Sequence, residues 1–264
     1  MTRVLSGAVL IAGAVALVWL APAPVFGAVA FAVLFVAAEE LISLFRASGV
    51  DVPLWPASIA ALLTLATFAD PITGHQRPLD VMLMAALVAL ALTTMSVWRG
   101  GPGALASVSA SLFPSLYLAL PIGAMVDIRQ RVGPAPLFLL MLTVIVSDTA
   151  QYYTGRMAGR RLLAERLSPK KTIEGAIGGF IVGTMAFVVV GGWWLPDVPP
   201  AIRALLGAGI VAAGMTGDLF ESMLKRSAGV KDSSQIIPGH GGILDRIDAL
   251  LFAAPFYYIV LKYV

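Results

Sequence analysis

Apolar runs long enough to cross a bilayer recur along this chain, and they limit the fold more than any other feature. Crossing about 30 Å of hydrocarbon takes roughly 20 residues of helix. Candidate spans are Val4–Ala21, Val25–Phe45, Pro56–Ala69, Val81–Trp98, Ala104–Leu120, Pro136–Tyr153, Ile173–Leu195, Ile202–Leu219 and Ala249–Leu261. Several are short, and Pro56–Ala69 reads equally as a tilted or partly inserted segment. Turn-forming stretches separate them: Ala-Pro-Ala-Pro at 21–24, Pro71 to Pro78, Arg99-Gly-Gly-Pro-Gly103 and Pro196 to Pro200. Of 264 residues, 59% are hydrophobic and 12% charged, against about 45–50% and about 25% in soluble domains. The expectation is an all-α, polytopic integral membrane protein of about nine transmembrane helices. It forms a single membrane domain over 1–264, with N-terminal spans in 1–133 and chemistry-bearing spans in 134–264. The first span has a second reading as a signal peptide, since Arg3 precedes it and Ala-Pro-Ala follows. Its apolar run exceeds the usual length of about 7–15 residues.

Charge orients the spans. Of 18 Lys and Arg, six lie between Arg156 and Lys171 and four between Lys225 and Arg246, whereas the turn from Trp194 to Pro200 carries only Asp197. The positive-inside rule places both basic loops in the cytoplasm and that turn outside. Nine spans then put the N-terminus inside, which suits Arg3, Arg46 and Arg99 but not Arg129 and Arg131. The net charge of +3 comes with no Lys/Arg stripe interleaved with aromatics, so a nucleic-acid partner is not expected. The absence of cysteine excludes disulfides, thiolate metal sites and a Cys nucleophile.

Charges beside apolar spans are costly and need a reason. In Gly217-Asp-Leu-Phe-Glu-Ser-Met-Leu-Lys-Arg226, helical spacing puts Asp218, Glu221, Ser222, Lys225 and Arg226 on one face. A plainer reading is a helix end emerging into water, with Glu221 and Lys225 pairing at i,i+4. Asp218 lies deeper and fits that reading less well. Next, Lys231 to Gly242 is a polar loop ending in Gly239-His240-Gly241-Gly242, which is either a simple turn or a nest of N–H groups for an anion. Asp245 and Asp248 follow at i,i+3 and can face one point, although carboxylates near a helix N-terminus are also favoured by its dipole. Upstream, Asp148 shares a face with Gln151, Tyr152 and Gly155. Ser168-Pro-Lys-Lys-Thr172 resembles a helix cap with Glu174 in the first turn, and Lys170, Lys171 and Thr172 could hold phosphate there.

Hard oxygen donors with no Cys and only two His favour Mg²⁺ over Zn²⁺. Cations and a nest beside such an ion are the apparatus of phosphoryl or nucleotidyl transfer. Acyl hydrolysis is not indicated, because no Gly-x-Ser-x-Gly elbow is present.

These residues resemble a known family. Ser222-Met-Leu-Lys-Arg, Lys231-Asp232 and Pro238-Gly-His-Gly-Gly-Ile-Leu-Asp-Arg-Ile-Asp248 are similar to the phosphatidate cytidylyltransferase (CDP-diacylglycerol synthase) signature. Asp148-Thr, Tyr152, Gly155-Arg and Ser168-Pro-Lys-Lys-Thr-Ile-Glu-Gly175 are similar to its upstream segment, with Gln151 where many members have Ala. The resemblance covers Asp148 to Asp248, while the N-terminal spans match only in being apolar. It implies that CTP and phosphatidic acid give CDP-diacylglycerol and diphosphate with Mg²⁺. A polar cavity reached from the cytoplasmic side of the cell membrane and a homodimer are implied too. On this reading Asp218 and Asp245 ligate metal, with Asp248 and Asp148 as further or outer ligands. Lys225, Arg226, Lys231 and Arg246 contact phosphates; Lys170, Lys171, Thr172 and the turn Gly239–Gly242 help bind the triphosphate. Ser222 and His240 hydrogen-bond phosphate or order the loop. Rival readings are a CTP-dependent polyprenol or phytol kinase and, further off, a transporter, although no paired broken-helix repeat is seen.

Overall fold

Ile173–Trp194 shows how this sequence packs. Gly175, Gly179, Gly183, Phe187 and Gly191, four apart, are its buried positions. Ile177, Ile181, Met185 and Val189 form an exposed apolar stripe along the same helix. Small residues inside and large apolar residues outside is the reverse of a soluble helix, and it suits a helix whose outer solvent is lipid. A side chain at Gly179 would overlap Gln151 and approach the Ser147 carbonyl oxygen to 2.8 Å, so the glycines let this helix lie against its neighbour backbone to backbone.

The computed structural model describes residues 2–68, 79–98, 100, 103–237, 239 and 241–262. Among them are nine helices: α1 (Thr2–Leu20), α2 (Ala23–Ala47), α3 (Leu54–Ala66), α4 (Leu79–Val97), α5 (Ala104–Val132), α6 (Pro134–Ala158), α7 (Ile173–Trp194), α8 (Pro200–Ser227) and α9 (Leu244–Leu261). Five of these, α2, α5, α6, α7 and α8, are long and apolar enough to cross a membrane. The protein is an all-α membrane protein with one small sheet. The expected turn at Pro71–Pro78 and residues Arg99, Gly101 and Pro102 lie outside the described residues.

The apolar core joins both halves of the chain. Leu34 and Leu41 of α2 belong to one cluster with Leu118 and Ile122 of α5, Leu137 and Leu140 of α6, Ile210 of α8 and Tyr257 of α9. Two helices run furthest past their apolar patterns. α8 continues to Ser227, which carries Asp218 through Arg226 on one unbroken helix. α5 continues past Leu120 to Val132 through two wide π turns, Ser115–Ala119 and Ile128–Val132. The first precedes Pro121, which has no N–H to donate, and Leu120 N–H reaches back to the Ser115 carbonyl instead.

That extension accounts for the two arginines that disagreed with the charge rule. Arg129 donates to the carbonyls of Val18 (2.5 Å) and Ala21 (3.2 Å) at the end of α1. Arg131 pairs with Asp127 at 2.5 Å. Arg129 thus ties α5 to the end of α1, beside the cluster of Trp19, Phe138 and Trp194, while Arg131 is exposed and paired along its own helix.

The other departure from a purely helical reading is a hairpin between α6 and α7, in which β1 (Leu162–Ala164) pairs antiparallel with β2 (Ser168–Thr172). Ser168 to Lys171 are therefore strand, and only Thr172 acts as the helix cap, its hydroxyl accepting from Gly175 N–H at 3.1 Å. Behind the hairpin, the Glu174 carboxylate accepts the N–H groups of Arg160 (2.9 Å) and Arg161 (3.2 Å).

Candidate active site

The end of α6, strand β2, the end of α8 and the start of α9 surround an open cavity of about 670 Å³. Asp148 enters from α6, Lys170, Lys171 and Thr172 from β2, Asp218 and Lys225 from α8, and Asp245, Arg246 and Asp248 from α9. Nine of the residues expected from the sequence thus meet in one place. Gln151, Tyr152 and Gly155, expected on the face of Asp148, also line it. Ser222, Arg226, Lys231, Gly239, Gly241 and Gly242 do not. Arg226 is exposed and donates to the Val230 carbonyl at 3.0 Å, closing the end of α8. His240 lies outside the described residues. Arg156, Ser168 and Asp232, which belong to the quoted motifs but were given no role, also line the cavity.

Charge pairing is uneven across the cavity. Lys171 reaches Asp218 across the gap between β2 and α8. Lys225 is shared by Glu221 one turn before it and by Asp245 at 2.5 Å. Glu221 is fully buried beneath the cavity floor and does not line it, so it anchors Lys225. Asp148 accepts from Gln151 Nε2 at 3.0 Å, and Asp248 accepts from Ala249 N–H at 2.7 Å. Among the described residues neither has a cation within salt-bridge range, and both sit close enough to Asp218 to repel it. Carboxylates grouped at an aqueous opening keep lone pairs that a hard cation could use.

Asp245 differs from those three. It stands ahead of the apolar run 249–261, in the first turn of α9. Its Oδ1 takes Lys225, while Oδ2 takes Gly242 N–H (2.8 Å), Ser233 N–H (2.9 Å) and the Ser233 hydroxyl (2.8 Å). Burial alone would push its carboxyl up, but Lys225, Gly242 and Ser233 outweigh that and hold it below the usual carboxylate range.

The glycine turn is likewise occupied by the protein itself. Gly239 and Gly241 have φ of +77° and +79°, and Ile237 N–H closes on the Gly241 carbonyl at 2.9 Å. The Gly242 N–H points at Asp245, and the next two N–H groups, of Ile243 and Leu244, point at Glu40. Glu40 was not picked out from the sequence. Its signal was present, an adjacent Glu39-Glu40 pair inside the span Val25–Phe45.

The cytidylyltransferase family model matches residues 1–264. A phosphatidate cytidylyltransferase of Thermotoga maritima is 39% identical over 161 residues, 59% of this chain and 60% of that protein. One of Mycobacterium tuberculosis is 33% identical over 236 residues, 86% of this chain and 71% of that protein. One of Synechocystis is 32% identical over 272 residues, 89% and 88% of the two chains. The chain spans 60% of the length of the Thermotoga relative and 44% of a further one from Haemophilus influenzae, so those matches concern part of each relative. With the family model matching from the first residue to the last, the chain belongs to the cytidylyltransferase family.

Proposed function

We propose that this protein is a phosphatidate cytidylyltransferase. The observation that carries the reading is the cavity where Lys170, Lys171, Lys225 and Arg246 converge with Asp148, Asp218 and Asp248. In the proposed reaction a phosphate oxygen of phosphatidate attacks the α-phosphorus of CTP. A new P–O bond forms, the bond to the β-phosphate oxygen breaks, and diphosphate leaves. The attacking oxygen is already anionic near neutral pH, so no strong general base is needed. The residues must instead hold two polyanions in line and offset their repulsion. Lys225, held in place by Glu221 and Asp245, and Arg246 beside it are placed for the transferring phosphate, while Lys170 and Lys171 are placed for the rest of the triphosphate.

The donor set fits a hard divalent cation. Asp148, Asp218 and Asp248 would hold Mg²⁺, which supplies charge neutralisation of the phosphate oxygens. Among the described residues no three carboxylates form a ready-made metal cage; Mg²⁺ ordinarily completes its shell with water and substrate phosphate. Asp245, with Oδ2 already accepting three hydrogen bonds, serves better as the holder of Lys225 and the loop than as a direct ligand. The reading also places the cavity on the cytoplasmic side of the cell membrane, supported by the basic hairpin Arg156–Lys171. It includes a homodimer, which the family resemblance supports and the mass of the detergent-solubilised protein would test.

The decisive assay is purified protein in mixed micelles with labelled CTP, phosphatidate and titrated Mg²⁺. Label should enter the lipid fraction as CDP-diacylglycerol only when both phosphatidate and Mg²⁺ are present. Free labelled CDP with no labelled lipid would indicate a lipid kinase and defeat the proposal.

A further inference from the structure

Glu40 lies on α2, in the part of the chain that carries none of the signature motifs, and is 3% exposed. Among the described residues it has no basic partner, yet its carboxylate has four donors around it. Oε1 accepts the Ser234 hydroxyl (2.6 Å) and the Ile243 N–H (3.0 Å). Oε2 accepts the Leu244 N–H (2.8 Å) and lies 3.2 Å from the Ser233 hydroxyl. That hydroxyl is also 2.8 Å from Asp245, and its single proton can serve only one of the two acids at a time. One buried side chain therefore grips both ends of the loop that leads from Ser233 to Leu244. It also satisfies N–H groups at the start of α9 that have no acceptor within the helix. The fit is close: a Cβ at Gly242 would overlap the Glu40 carboxylate and the Ser233 hydroxyl.

We infer that Glu40 is a positioning residue for nucleotidyl transfer, acting as a staple that fixes where Lys225, Asp245 and Arg246 stand relative to the substrates. It does not line the cavity, so it acts through the loop and the first turn of α9. The inference rests on the transferase reading above. Without the staple, Ser233 is left to Asp245 alone, the start of α9 is unsatisfied, and the Asp245–Lys225 contact loses its fixed frame. Turnover should suffer more than nucleotide affinity, because Lys170 and Lys171 sit on a different element that Glu40 does not touch.

The test compares the parent with Glu40→Ala and Glu40→Gln, each as full-length protein in mixed micelles. For Glu40→Ala, kcat should fall by about tenfold or more while KM for CTP moves by less than about threefold, since small misplacement of reacting groups is expensive in rate. Glu40→Gln keeps one accepting oxygen and should fall between the parent and Glu40→Ala. Hydrogen–deuterium exchange supplies a readout free of activity. Protection should be lost in the segment from Lys231 to Arg246 and kept in α6 and α7. A Glu40→Ala protein with kcat within twofold of the parent would overturn the inference. So would loss of protection that spreads through α6 and α7 in step with activity, because Glu40 would then be a general stability residue. If the parent makes no CDP-lipid, it is the transferase reading that fails, and the exchange data still decide whether the staple exists.

Discussion

Lys225 is the residue on which the cavity floor depends. Glu221 beneath it is fully buried, and among the described residues the ammonium is the one cation that reaches it. Lys225→Met should abolish transfer and also destabilise the fold by about 3–5 kcal/mol, because a buried carboxylate loses its counter-charge. Adding Glu221→Gln should recover most of the stability but none of the activity, as read by thermal unfolding in detergent beside the micelle assay. Asp248 presents the opposite case. Among the described residues its one hydrogen bond comes from the next residue of its own helix, so Asp248→Asn should leave the unfolding temperature unchanged while lowering turnover at least about a hundredfold if its charge helps to hold the cation and the transferring phosphate. Activity within threefold of the parent would remove Asp248 from the proposed ligand set. The residues legible in the sequence are those whose cost is visible locally: Asp218, Lys225, Asp245 and Asp248 each sit against apolar neighbours in a recognisable spacing. Glu40 satisfies the same criterion but has its partners 193 to 204 positions away. No local spacing reports such a contact.

At the level of elements, the α6–α7 pair forms one wall of the cavity. Its glycines allow a close approach that any side chain would block. Gly179→Ala should cost about 1–3 kcal/mol through overpacking against Gln151 and the Ser147 carbonyl. Gly13→Ala on α1, where a Cβ meets nothing within 4 Å, should be neutral or slightly stabilising in the same unfolding measurement. The apolar runs were readable because lipid-exposed helices need unbroken hydrophobicity. Their ends were not, because α6, α8 and α9 carry polar residues on a protected face beyond the apolar stretch. α5 was cut short in the sequence reading for a related reason. It passes through Pro121 into the charged stretch Asp127–Arg131, where an apolar run gives no sign of continuing helix. The hairpin was missed because a three-residue strand and a strand containing proline give no periodic signal.

For the whole molecule, the proposed orientation makes a direct prediction. The natural chain has no cysteine, so single cysteines can be introduced without background. Arg166→Cys, exposed on the hairpin, should resist a membrane-impermeant maleimide in intact cells and react after permeabilisation. Asp197→Cys, exposed in the turn between α7 and α8, should react in intact cells. The reverse pattern would place the cavity on the outer face.

The contact from Glu40 also bears on how the protein comes into being. Residue 40 leaves the ribosome and enters the bilayer about two hundred residues ahead of the loop it binds. Until the loop from Ser233 to Leu244 arrives, its buried acid has none of those four donors. The chain therefore makes α2 to α8 before this loop can lock, and the geometry proposed for turnover waits for α9.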